Sequence, residues 1–174
     1  MGASTAGYPA NRCCEDQDGQ FHQNGSALHR DSGYYVAAGS TLTLTVNDHD
    51  GKCIKLDTLA GSVVTLPAAT GSGARFRFVV TVKATSNSHK IQVANANDTM
   101  QGIILTRDDT SDNAQAFDAD ATAGADTITL NRSTFGSVVK GEWIEVEDIA
   151  ANVWQVTGLI ANTGTAATPF SAAV

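Results

Sequence analysis

The sequence predicts an all-β protein, a jelly-roll-like sandwich or barrel of about eight to ten short strands preceded by an extended N-terminal arm. Three observations carry that reading. From residue 41 onward apolar side chains recur with a period of two, the signature of strands with one buried face. The runs are short and are interrupted at close spacing by Gly, Pro, Asn, Asp and Ser, which favour turns. No segment after residue 41 carries an amphipathic helical stripe of useful length. The chain of 174 residues suits one domain with an arm, divided as residues 1–40 and 41–174.

The arm sustains neither period, and Gly2, Gly7, Pro9, Gly19, Gly25 and Gly33 would interrupt any helix. It reads either as a frayed leader or as an extended segment that orders on a neighbouring subunit through Tyr8, Phe21, Tyr34 and Tyr35. Aromatic rings suit anchoring because each buries a large area at small entropic cost. Thr41-Leu42-Thr43-Leu44-Thr45-Val46 then alternates cleanly, and Cys53-Ile54-Lys55-Leu56 resumes the pattern after Asn47-Asp48-His49-Asp50-Gly51. Together they predict a hairpin with a four- or five-residue loop. Ser62-Val63-Val64-Thr65-Leu66 is a strand stopped by Pro67, which has no N–H for the ladder. After the turn Ala69-Thr70-Gly71-Ser72-Gly73-Ala74, Arg75 to Val82 is the clearest strand, with Phe76, Phe78, Val80 and Val82 on one face and Arg75, Arg77, Val79 and Thr81 on the other. It is expected to be central. Lys90-Ile91-Gln92-Val93-Ala94 alternates, and Met100 to Thr106 is a further strand in which Gly102 suggests a bulge. Residues 107–126 are acidic and poor in large apolar groups, so they read as a long exposed loop. Strands return at Asp126–Leu130, Glu142–Glu147 and Val153–Val156, and the chain closes through Gly158–Asn162 and Pro169-Phe170-Ser171.

Composition excludes several classes. The hydrophobic share is 42% and no apolar run approaches the length of a membrane span, so no membrane role is expected. A net charge of −7 and a pI near 4.8 argue against a nucleic-acid binder that tracks phosphates with clustered Lys and Arg. Residues 1–20 have neither the basic start nor the apolar run of a secretory leader, so synthesis in a cytosol is expected. Of the three cysteines Cys13 and Cys14 are adjacent, a poor geometry for a mutual disulfide, and free thiols are expected at Cys13, Cys14 and Cys53.

Candidate chemistry is sparse. Gly71-Ser72-Gly73 lacks the Lys and Ser/Thr of a phosphate loop and precedes a strand, so it reads as a turn. Asp48, His49 and Asp50 fall in one turn without the spaced oxygens of a calcium loop and read as solvated turn residues. Cys13, Cys14, His22 and His29 fit a zinc site badly, because adjacent cysteines do not reach tetrahedral positions. His89 follows a Ser-Asn-Ser turn and is expected to be exposed. Trp143 and Trp154 would suit a sugar-stacking platform, yet each lies in an alternating strand where a core or subunit-contact role is commoner. No nucleophile–base pair or facing carboxylates stand out, and no enzyme activity, metal or cofactor is expected.

The run Leu66-Pro67-Ala68-Ala69-Thr70-Gly71-Ser72-Gly73-Ala74-Arg75-Phe76-Arg77-Phe78-Val79-Val80 resembles a segment of small β-rich structural proteins of tailed bacteriophages. So do Lys90–Asn95, Asp98–Gly102, Asp126–Asn131, Val153–Gly158 and Thr163–Phe170, a likeness over residues 55–174. Within that group a short chain with an N-terminal arm is most similar to a capsid decoration (cement) protein. The resemblance implies a non-enzymatic virion protein on the capsid exterior, assembled in the host cytoplasm, with the major capsid protein as partner and a homotrimer at local threefold positions. Tyr8, Phe21, Tyr34, Tyr35 and Phe170 are then the candidate capsid and subunit contacts. The alternative is a tail or fibre component binding host-surface glycans.

Overall fold

The computed structural model describes residues 32–174, together with the backbone of three short strands nearer the N-terminus. The chain divides into two compact units, Met1–Tyr34 and Tyr35–Val174. In the first, β1 (Cys14–Glu15), β2 (Phe21–Gln23) and β3 (Ser26–Ala27) form an antiparallel sheet with Glu15 opposite Phe21 and Gln23 opposite Ser26. A 3-10 turn covers Ser32–Tyr34. The body starts at Tyr35, six residues before the boundary drawn at residue 41, because Tyr35–Ala37 already pairs into a sheet with Cys53–Lys55.

The second unit is all-β, as the alternation predicts, with twelve strands in sheets of seven and five. Its first half winds between them. The larger sheet receives β4 (Tyr35–Ala37), β6 (Cys53–Leu56) and β8 (Arg75–Val80), and the smaller receives β5 (Thr41–Thr43), β7 (Val63–Thr65) and β9 (His89–Gln92). Each crossing adds a strand parallel to the one laid down before it, so Val36, Ile54 and Phe78 align across one sheet and Leu42, Val64 and Ile91 across the other. Parallel winding of this kind replaces the antiparallel connections of a jelly roll.

The expected hairpin between Thr41 and Leu56 is one casualty of that winding. Thr45 caps a four-residue helix, α1 (Val46–His49), its hydroxyl accepting from the Asp48 N–H at 3.3 Å. The Leu44 N–H bonds the Thr65 carbonyl in one sheet while Cys53 aligns with Arg77 in the other. The near-continuous burial of Cys53, Ile54 and Leu56 belongs to a covered parallel strand, not to a surface hairpin.

The second half adds β10 (Thr99–Asp108), β11 (Ala114–Asp118), β12 (Thr127–Leu130), β13 (Trp143–Ala150), β14 (Val153–Asn162) and β15 (Phe170–Ser171). The larger sheet runs β11-β10-β14-β13-β8-β6-β4 and the smaller β15-β12-β9-β7-β5. β8 is central, as expected, and its inner face carries Phe76, Phe78 and Val80. These meet Ile144, Val146, Trp154 and Met100 beside them and Val64, Leu66, Ile91 and Ile128 from the smaller sheet. Each such side chain contributes about 1.5–3 kcal/mol of transfer free energy before entropy is subtracted. Val82 lies beyond the end of β8 and uses its carbonyl to bind His89.

Two further expectations change. Residues 107–126 are not a long loop: β10 runs to Asp108, β11 returns antiparallel beside it, and Ala119 and Ala125 are buried. Small alanines reach the interior there where large apolar groups are lacking. Gly102 makes no bulge either, since Met100 through Asp108 stay in unbroken register with Trp154 through Asn162. Its role is close approach: at φ +125° a Cβ would overlap the Val156 carbonyl oxygen. The irregularity lies in β13, between Asp148 and Ala150.

Candidate functional site

The seven-stranded sheet turns its second face outward, and the strand registers convert its side chains into rows. One row reads Val79, Trp143, Leu159, Leu105 and Ala116 across β8, β13, β14, β10 and β11, and it is apolar throughout. The next reads Arg77, Glu145, Thr157, Ile103 and Asp118, and a third Arg75, Glu147, Gln155 and Gln101. Ile103, Leu105 and Leu159 are 51%, 49% and 50% exposed, an uncommon state for three adjacent large aliphatics. Apart from Ile103, the second and third rows are polar. The Arg77 guanidinium lies 4.5 Å from the centre of the Trp143 ring, a cation–π contact, and Arg75 pairs with Glu147 at 2.9 Å in an exposed setting that contributes little stability. Arg75, Glu145, Glu147, Gln155 and Thr157 also line a shallow depression of about 140 Å³.

Sequence reasoning passed over this surface, although a signal was present. Ile103-Ile104-Leu105 and Leu159-Ile160 are consecutive apolar residues, and in a strand consecutive residues face opposite ways. Ile104 and Ile160 fill the core, so Ile103, Leu105 and Leu159 must face out.

The residues singled out from the sequence are scattered. Tyr8 lies outside the described residues, and Phe21 stands on β2, of which the backbone alone is described. Tyr34 is half-buried at the end of its 3-10 turn, and Tyr35 is 58% exposed at the start of β4. Phe170 is a correction. It pairs opposite Ile128 at 3% exposure inside the core, so its ring holds the smaller sheet to the body and has no surface to give a partner. The two tryptophans are also separated. Trp154 is fully buried, 5.8 Å from Phe76 between ring centres, while Trp143 stands on the outer face, so no shared indole platform exists.

His89 is buried, not exposed. Its Nδ1 accepts from the Ser62 N–H at 3.0 Å, which leaves the proton on Nε2 to be donated to the Val82 carbonyl at 2.9 Å. Burial lowers its pKa, against the raising pull of the Val82 bond, so the ring is a neutral strut between two loops. Asp48 and His49 are tied into α1 through Thr45, and Asp50 accepts from the Arg75 N–H at 2.8 Å. Cys14 and His22 are backbone partners in the β1–β2 register, whereas Cys13 and His29 lie outside the described residues. Among the described residues no three His, Cys, Asp or Glu side chains are grouped to hold a metal ion, and no helix is long and apolar enough to cross a membrane.

The buried carboxylates act on loops. Asp148, at the β13 irregularity, accepts the N–H groups of Thr70, Gly71 and Ser72 at 2.7–3.1 Å and the Ser72 hydroxyl at 2.7 Å. Burial pushes this carboxyl up, but the Ser72, Thr70 and Gly71 bonds outweigh it and hold the pKa at about 2. The glycine-rich turn thus cradles an anion, and that anion is the protein's own. Glu142 likewise accepts from Ser137, Val138 and Val139, and Asp126 from Ala173 and Val174. Chemically this arrangement makes a sheet face with pinned loops, and the carboxylate clusters are satisfied internally.

No protein-family model matches the chain, and no curated protein matches it significantly in sequence.

Proposed function

We propose that this protein is a structural component of a tailed-phage head, binding the outer surface of the shell and stabilising it as a decoration protein. The major capsid protein is its partner, and copies cluster in threes at local threefold positions. The observation that carries the reading is the apolar row Trp143–Leu159–Leu105 on the outer sheet face, half-buried at Trp143 and exposed at Leu159 and Leu105, with exposed Ile103 beside it. A surface of that kind marks a protein contact, and the sequence resemblance supplies the identity of the partner. Two properties support it. A net charge of −7 keeps free copies soluble before assembly. On a repeating lattice many weak contacts gain from avidity, so a modest patch suffices. The internally bonded carboxylates suit a protein that resists shell pressure, since they lock loops that would otherwise yield.

The test is co-sedimentation of the full chain with shells that lack it, followed by imaging. Saturable binding at a copy number that follows the shell's subunit count, in groups of three, is expected. Leu159→Asp should abolish it with the fold intact. Failure of the wild-type chain to bind any such shell, or binding confined to tails, would remove the proposal.

A further inference from the structure

The larger sheet ends at β11, and this edge has the features of a strand meant to be paired. β11 is five residues long, whereas the other sheet edges of the body, β4, β5 and β15, have three, three and two. Ala114, Gln115, Ala116 and Asp118 are exposed and Phe117 is half-buried against Phe135. Exposed edges are usually blunted by lysine, proline or a bulge. Ala114–Asp118 has none of these, and its one charge, Asp118, stands at the end of the strand.

We propose that β11 pairs with β11 of a second copy, antiparallel about a two-fold axis at Ala116, so that two seven-stranded sheets continue into one. Self-complementarity decides this occupant. In that register Ala116 meets Ala116 of the second copy and Ala114 meets its Asp118. Within one chain Ala114 is already opposite Arg107 on the same outward face. Arg107 and the second copy's Asp118 therefore share a row, separated by two strand spacings, about 9.6 Å, with only the Ala114 methyl between them. An arginine side chain spans that gap, and symmetry makes the pair twice. Arg107 now pairs with Asp112 at 3.4 Å, with side chains 58% and 104% exposed, a contact easily exchanged. Parallel pairing in register would instead set Asp118 beside Asp118. The apolar row adds continuity: Leu159, Leu105 and Ala116 run to this edge, and the two-fold joins the two rows end to end.

The pairing requires only another copy of the chain and does not rest on the shell-binding reading. A two-fold contact does not close a ring of three, so on a shell it would link neighbouring clusters. Five residues a side is a small interface, which places the affinity in the weak, micromolar range. The test is sedimentation equilibrium of the full chain from about 1 to 500 μM, a range that brackets such an affinity. A reversible dimer of the 18.1 kDa chain is expected. Ala116→Lys, Arg107→Asp and Asp118→Arg should each weaken it by roughly tenfold or more, since like charges then face each other. The combined Arg107→Asp and Asp118→Arg protein should recover most of the loss. Circular dichroism confirms that each variant is folded. A wild-type monomer across the range, or an oligomer indifferent to all of these changes, would overturn the proposal. Loss of shell binding with the dimer retained would count against the shell reading alone.

Discussion

Asp148 holds three consecutive backbone N–H groups of a turn that lies more than seventy residues away in sequence, and Asp148→Asn tests what that cradle contributes. The substitution preserves size, retains one carbonyl acceptor and replaces the other oxygen with an NH2 that points at N–H donors. Two charge-assisted hydrogen bonds are then lost at about 1.5–3 kcal/mol each, so the expected destabilisation at pH 7 is about 3–6 kcal/mol. That is a large share of the stability of an ordinary domain. The pH dependence has a definite sign. The folded pKa of about 2 lies below the ordinary carboxylate value, so the stabilisation is fully present above the unfolded pKa of about 4 and disappears as pH falls through the folded value. Because Gly71 and Ser72 are solvent-exposed, the effect is discounted to about 1–2 kcal/mol between pH 4 and pH 2. Urea titrations followed by the fluorescence of buried Trp154 measure both quantities. A loss under about 1 kcal/mol at pH 7, or an acid slope unchanged by the substitution, would refute the cradle's role.

Other perturbations test further contacts of the fold. His89→Gln keeps one donor and one acceptor but removes the titration; the wild type should lose stability as pH falls below about 6.5, where the unfolded ring takes a proton that the buried one resists, and the variant should not. Denaturation midpoints at pH 7 and pH 5 decide it. Gly102→Ala should cost about 3 kcal/mol or more, because it combines a strained φ with overlap of the Val156 carbonyl. A thermal melt within a degree or two of wild type would contradict that placement. Phe170→Ala should cost about 3–5 kcal/mol as a core truncation, whereas Tyr35→Ala, at an exposed strand start, should stay near 1 kcal/mol or below. Parallel urea titrations of these two variants compare an interior ring with a surface one.

Period-two alternation is a short-range property, and wherever it was clean the sequence alone sufficed. Phe76, Phe78 and Val80 point inward and Arg75 and Arg77 outward for no reason other than the pleat. The all-β class, the central place of β8 and the turn at Gly71 were legible for that reason. What the sequence left open depends on contacts between distant residues. Leu44 and Cys53 enter different sheets because each finds its parallel neighbour there, a choice made by the burial of both strands and invisible in the alternation of either. His89 looked like a loop residue until Ser62 and Val82 closed on it. Phe170 looked like a tail residue until Ile128 paired with it. The apolar row of the outer face exists only once five strands are in register, since no two neighbours in it lie on the same strand. Side-chain direction along a strand is set locally by the backbone, so the sequence by itself determined it; which strands lie together is set by the burial free energy of the whole sandwich, and that only the tertiary structure decided.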